Sequence, residues 1–376
     1  MKKILLLSFC LLFLGNLTLA EINETENVLP PKQVYDKARV VSAQEMEVED
    51  PSQPMTQFVE LKMLSGKFKG NIVEAEHMTS SMMGDQMVVK PGDKVLVFVD
   101  DDPSLAESPD GKPMFYIADY YRISPLIWLA VFYALLLLAI GGVKGFKSLI
   151  SLVLTIGLLF IVLFPLTLKG WNPLLVSVVL AGVVSFLVFW IIGGRTIKST
   201  SAAIGTLAGV AIAGMLALLA GNLMHLTGMS SEESRILLYS MNLNIDYRGL
   251  LFGSILIGAL GAVMDIGMSI ASAVEEVHRI HPEKTFKNLF DSGMNIGRDV
   301  MGTMSNTLIL AYTGSSLPLL LLLVANQTSF DKIFNMELIA AEVVRALAGS
   351  IGLVLCIPIT AFVSAYLNNR KLIKGE

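Results

Sequence analysis

Polar and apolar positions divide this chain into three stretches of different period. From residue 123 onward, long apolar runs follow one another at roughly 123–141, 148–168, 173–193, 202–224, 249–271, 300–325 and 338–367. Each is long enough to cross a hydrocarbon core of ~30 Å at ~1.5 Å per helical residue, which predicts about seven transmembrane helices. Ahead of them the pattern shortens to alternating runs between turn residues, predicting strands at 37–43, 57–64, 71–77 and 94–100. The turns fall at Ser65-Gly66, Lys69-Gly70 and Pro91-Gly92-Asp93. Four to six strands in so short a span suit a small, strongly bent β-barrel-like or β-sandwich domain. The first twenty residues carry Lys2 and Lys3, an apolar run, and Thr18-Leu19-Ala20, the pattern of a secretory signal peptide cut after Ala20. An uncleaved anchor is the alternative, and it leaves the next segment on the same side. The fold class expected is a polytopic α-helical membrane protein with a small N-terminal extracytoplasmic β domain. Its divisions are 1–20 signal peptide, 21–120 β domain and 121–376 transmembrane helical domain.

Charge placement orients this arrangement. With residues 21–120 outside, the inner segments carry Lys144, Lys147, Arg195, Lys198, Arg279, Lys284, Lys287, Arg298, Arg370, Lys371 and Lys374, whereas the outer loops carry Lys169, Arg235, Arg248 and Lys332. That asymmetry obeys the positive-inside rule and puts the C-terminus in the cytoplasm. Composition agrees with a lipid environment: 53% of residues are hydrophobic, 16% are charged, and the mean hydropathy is +0.64. No basic run interleaved with aromatics tracks a phosphate backbone, so nucleic acid is not an expected partner. The two cysteines, Cys10 in the leader and Cys356 in an apolar run, leave the mature chain without a disulfide or a paired-thiolate metal site.

Chemistry concentrates in the fifth and sixth apolar runs. Asp265 shares a stripe with Gly261, Ser269 and Ala273, and Ser254, Gly258 and Ala262 form a neighbouring stripe of small residues. Small residues at this spacing let another backbone approach closely, so Asp265 is expected beside a packed seam. A carboxylate at membrane depth serves a substrate, ion or proton site, or is a buried group held by hydroxyls or an arginine to fix packing; the first reading is preferred. In the sixth run Arg298, Gly302 and Asn306 share a stripe, with Thr303 and Thr307 close by. The expected lining of a polar pathway is Asp265, Asn306, Arg298, Thr303 and Ser269. Asp265 and Asn306 are expected at one depth, with Arg298 reaching Asp265 directly or through Asn306 and water. Glu342 and Arg345, three apart on one helix face, are expected to form a supporting ion pair. The connection 274–295 reads as a cytoplasmic amphipathic segment. Its Glu275-x-x-His278 is half of a di-metal helix motif with no second copy, so no metal or cofactor is expected. No second intramembrane carboxylate faces Asp265 as an aspartyl hydrolase requires, and no Ser-His pair lies in the apolar runs; an enzyme is not expected.

These same phrases carry a resemblance. Gly261-Ala-Val-Met-Asp265 with Ser269-Ile-Ala-Ser272, the run from Gly293 to Gly314, and Glu342-Val-Val-Arg345 through Gly349, Gly352 and Pro358-Ile-Thr360 resemble the YibE/F family of bacterial membrane proteins. The likeness covers most of the chain after the β domain. It implies a multi-pass protein of the bacterial cytoplasmic membrane and assigns neither substrate nor reaction. The function expected is a permease or channel-like transporter of a small solute or ion. The alternative is a non-transporting scaffold or sensor whose extracytoplasmic domain docks a protein partner.

Overall fold

The structure is a computed structural model, and the residues described are 34–45, 55–79, 87–100, 113–241, 243 and 245–374. The signal-peptide reading of residues 1–20 lies outside them. The described residues form two compact units, one ending at Leu136 and one beginning at Leu137.

The first unit is built on five strands, β1 (Tyr35–Glu45), β2 (Met55–Met63), β3 (Ile72–Thr79), β4 (Lys94–Asp100) and β5 (Met114–Tyr120). They form one antiparallel sheet in the order β3-β2-β1-β4-β5. Register shifts at Val40/Ser42 and Leu96/Val97 mark bulges, which strengthen twist and coil the sheet into a half-barrel. Its concave face buries Ala38, Val40, Val59, Leu61, Met63, Ala75, Val95 and Val97. The three turn signals hold, with Gly66, Gly70 and Gly92 at φ 79°, 93° and 98°. Beyond the four expected strands the sheet has β5, an aromatic run following Pro113.

The segment before the Pro91-Gly92 turn is tied down by side chains instead of a ladder. Gln57, fully buried, accepts from the Val89 amide (3.0 Å) and donates to the Val89 carbonyl (3.3 Å), standing in for a neighbouring strand. A ring nitrogen of His77 meets the Met87 carbonyl at 2.8 Å, and the Tyr120 hydroxyl donates to the Val88 carbonyl at 2.6 Å. At the end of β5 the Arg122 guanidinium bonds the Asp119 carboxylate (2.6 Å) and holds its pKa below the ordinary carboxylate value.

The helices are α1 (Ile123–Leu158), α2 (Phe164–Leu168), α3 (Pro173–Gly193), α4 (Ile197–Leu223), α5 (Glu232–Arg235), α6 (Tyr247–Ile280), α7 (Phe286–Ser315), α8 (Leu317–Ala325), α9 (Phe330–Asn335) and α10 (Glu337–Lys374). Among the described residues five stretches are long and apolar enough to cross a membrane, with α7 and α8, bent by 59°, making a sixth. The chain is accordingly a multi-pass membrane protein.

The first two expected spans fall in one continuous stretch, 123–168, which is broken internally. Gly142 leaves the helix at φ 51° and ψ −128°. A Cβ at Gly145 would overlap the Leu137 carbonyl, although eight residues of straight helix separate two positions by ~12 Å, so the chain turns sharply there. Before Pro165, which has no amide to donate, the helix widens into a π turn at Leu159–Leu163.

The starts of the next helices are legible as caps. Asn172, Thr196 and Asp246 accept from the amides of Leu175 (3.1 Å), Ser199 (3.2 Å) and Gly249 (2.8 Å), starting α3, α4 and α6. The connection expected over 274–295 is far shorter, because α6 runs to Ile280 and α7 restarts at Phe286, capped by Thr285. Amphipathic helical period carries both elements past their apolar cores.

At the centre α4, α6 and α10 pack on one another, while α3 covers α4 and α6, and α7 covers α6 and α10. The crossing of α4 on α10 is made by glycines. A Cβ at Gly209 would stand 2.8 Å from the Gly352 carbonyl oxygen, and one at Gly352 would stand 2.6 Å from the Gly209 carbonyl oxygen. Gly205 meets Thr360, and Gly214 and Gly221 receive Leu256 and Phe252 of α6. Lys198 at the start of α4 bridges to Glu275 near the end of α6 at 3.3 Å.

Two outcomes follow. Replacing Gly209 or Gly352 by Leu is expected to remove the cooperative thermal transition of the detergent-solubilised protein or lower its midpoint strongly, since over-packing a core costs ~1–3 kcal/mol even where backbone can shift; replacing Gly157, which meets nothing, should leave the midpoint unchanged. Gln57→Leu should destabilise the β unit by ~1–3 kcal/mol in a denaturant titration followed by circular dichroism, because it strands the buried Val89 amide and carbonyl.

Candidate functional site: a polar track along three helices

Within the apolar part of α6 the exposed residues are Ser254, Gly258, Gly261, Asp265 and Ser269. Their spacing of three and four places them on one face, and none carries an apolar side chain. The opposite faces of α6 bury Phe252, Ile255, Leu256, Ala259, Val263, Ile266 and Ile270 against the other helices. A helix in lipid ordinarily shows its apolar residues outward. Here the polarity is reversed along one line.

Contacts between α6 and α7 set the levels. Val274 fills the space over Gly293, Ile270 packs on Gly297, and the Tyr312 hydroxyl stands at Gly258. Asp265 is therefore level with Gly302 and Thr303. Ser269 is level with Arg298, one turn or ~6 Å toward the Ile280 end. Asn306 lies about a turn from Asp265 in the other direction, so the two do not share a depth. Because Tyr312 borders the stripe, Ser305 and Arg298, spaced by sevens on the same face of α7, continue that border. The Ser305 hydroxyl is buried and without a partner among the described residues.

At the Tyr247 end the track is closed off by α10. Arg345 bonds Glu342 at 3.0 Å, donates to the Ser254 hydroxyl at 3.3 Å, and holds its guanidinium 6.0 Å from the Tyr312 ring centroid. The Arg345 and Glu342 side chains are 24% and 22% exposed, buried enough for the pair to be held away from bulk water. One helix from each side of the groove thus contributes to a single polar cluster.

The expected residues distribute unevenly. Asp265 and Ser269 lie in the stripe, Arg298 borders it, and Glu342 and Arg345 sit at one end. The expected Asp265–Arg298 contact is absent: Arg298 donates to Asn295 on its own helix at 3.1 Å, and no hydrogen bond or ion pair reaches Asp265 among the described residues. Arg298 stands a turn away in level, and its exposed side chain has a nearer amide. Thr303, nine residues from Tyr312, faces the opposite side of α7, where its hydroxyl donates to the Val300 carbonyl at 2.9 Å. Asn306 is exposed on the outer face of α7 and makes no hydrogen bond among the described residues. Ser254, Ser305 and Tyr312 belong to the track but not to the expected set. The seven-residue spacing of Arg298, Ser305 and Tyr312 was the available signal. Among the described residues no three His, Cys, Asp or Glu side chains gather in a metal-binding group.

A double-mutant cycle tests the cluster at the Tyr247 end. Glu342→Gln and Arg345→Gln should each lower the melting midpoint in detergent, and the double variant should recover part of the loss, with a coupling of ~0.5–3 kcal/mol; strictly additive losses would show that the two charges do not act as a pair.

Residues 129–370 match the family model of YibE/F-like proteins. Neither a curated protein nor a solved structure matches the chain.

Proposed function

The chain belongs to the YibE/F-like family, and we propose that it is a permease or channel-like protein of the bacterial cytoplasmic membrane, passing an ion or small polar solute along the α6–α7 track. The observation that carries this reading is the exposed line Ser254, Gly258, Gly261, Asp265, Ser269 at membrane depth. Ionisable groups inside a membrane are costly and face a protein interior or a water-filled path. Asp265 supplies the charge that a cation or a polar solute meets midway. Ser269, Ser305 and Tyr312 supply hydroxyls that donate or accept as a hydration shell is exchanged. Arg298 and the Arg345–Glu342 pair mark the two ends.

The membrane arrangement proposed has seven spans. The turn at Gly142 supports two spans within 123–168, the bent α7–α8 pair supports one, and α3, α4, α6 and α10 supply four. With the β unit outside, Asp265 lies in the inner half and Arg345 in the outer half. The lysine and arginine distribution favours this orientation.

A second reading, a scaffold or sensor that docks a protein through the β unit, is favoured by a different observation. β3 and β5 are the open edges of the sheet, and a cleft of about 760 Å³ lies between them, lined by Phe58, Glu60, Glu74, Glu76, Phe115 and Tyr116. An open edge beside exposed aromatics suits an extended peptide added as a further strand.

Reconstitution decides between the two. Proteoliposomes are expected to pass protons or monovalent cations above empty vesicles, and Asp265→Asn should lower that flux at least tenfold with an unchanged melting midpoint. Flux that equals the empty-vesicle rate across a panel of ions and metabolites sinks the transport reading. For the topology, a cysteine at Gly228 should react with an impermeant maleimide from outside intact cells and one at Lys284 only after lysis; the reverse pattern overturns the orientation.

A further inference from the structure

We propose that the polar face of α6 and α7 is covered in the membrane by a second copy of this chain, so that the track is walled by two copies. This inference rests on the reading of the track as a solute path and states what completes it. Within one chain the track is a groove, not a tube. Its α6 stripe is exposed from Ser254 to Ser269, and the outer face of α7 at the same depth exposes Gly302 and Asn306. Lipid tails offer Asp265 and Asn306 no partner, and unsatisfied polar groups do not persist against hydrocarbon.

Two further observations point to a copy of the same chain. The first is unused space. The helical glycines of the α4, α6 and α10 core each meet a neighbour, whereas Gly261, level with Asn306, and Gly302, level with Asp265, have nothing within 4 Å of where a Cβ would stand. Glycines spaced four residues from a polar group, as Gly261 from Asp265 and Gly302 from Asn306, admit a second helix at close range. The second is complementarity within the face itself. Asp265 offers two acceptor oxygens with no donor, and Asn306 offers an amide with no partner among the described residues, about one turn apart in level. A two-fold axis along the membrane normal keeps each residue at its own level and brings α6 of one copy to α7 of the other, an isologous contact in which each carboxylate spans an offset of about one turn, ~6 Å, to the partner's amide. Another protein would have to match both groups by coincidence; a second copy matches them by symmetry.

The test uses the full-length protein in native membranes. On a background with Cys10→Ser and Cys356→Ala, co-expressed copies with a cysteine at Gly261 in one and at Asn306 in the other are expected to give a disulfide-linked dimer under mild oxidation, while copies with a cysteine at Val179, an exposed apolar position of α3, should give none. Since a new side chain could itself disturb packing, the unsubstituted sequence fused to a fluorescent protein is counted by single-molecule photobleaching, where two or more steps are expected. Single-step bleaching, or cross-linking at Val179 equal to that between the cysteines at Gly261 and Asn306, overturns the proposal, as does full labelling of the Gly261 cysteine by an impermeant maleimide with no dimer band. The outcome is separable from transport. Cross-linked dimers in vesicles that show no flux keep the interface and remove the solute path; flux from a protein that bleaches in one step does the reverse.

Discussion

The close approach of α4 and α10 is the constraint on which the helical unit depends. Gly209 and Gly352 each place a backbone carbonyl where the other's side chain would be, so no larger residue fits at either position. In lipid there is no hydrophobic drive to bring apolar helices together, and association relies on van der Waals contact and on hydrogen bonds between helices. Glycine supplies the first by exposing backbone. The second appears beside the crossing, where Thr206 donates to the Val263 carbonyl at 3.5 Å and the Cys356 thiol donates to the same carbonyl at 3.7 Å. The two glycine-rich phrases that look faintly alike in sequence, 204–209 and 347–352, are the two sides of this one contact.

Once α4 and α10 are fixed, α6 has its buried faces chosen for it. Val263 lies over Gly209, Gly267 receives Thr206, and Leu256 and Phe252 enter the spaces at Gly214 and Gly221. The face that remains is the one with Ser254, Gly258, Gly261, Asp265 and Ser269. Polarity at membrane depth is thus concentrated on the one side of α6 that its neighbours leave open. The end of that side is then closed by Arg345 reaching across from α10 to Ser254 and Tyr312.

In the β unit the deciding interactions are hydrogen bonds to a segment that is not a strand. Residues 87–89 would leave backbone groups unpaired beside the core, and Gln57, His77 and Tyr120 supply the partners from three different strands. Buried backbone groups are almost always satisfied, and here side chains do what a ladder would. Among the described residues the sheet ends at β3 and β5.

How much of this is legible in the chain itself depends on the range of the interaction. Apolar run length announces membrane helices, and Asn172-Pro173, Thr196, Asp246 and Thr285 announce where helices begin, because capping and period are local. Alternation and positive-φ glycines likewise announce four of the five strands. The ion pair of Glu342 with Arg345 is legible for the same reason, being three residues apart on one helix. What sequence spacing does not carry is rotation and level between helices. Asp265 and Arg298 look like natural partners by type, yet the seating of Ile270 on Gly297 sets them a turn apart and leaves the arginine to Asn295. Thr303 is next to Gly302 in the chain and faces the other way in space, whereas Ser305 and Tyr312 join the track because seven residues return a helix to nearly the same face. Those choices are made by which side chains fill which glycine spaces, and only the packed bundle decides that.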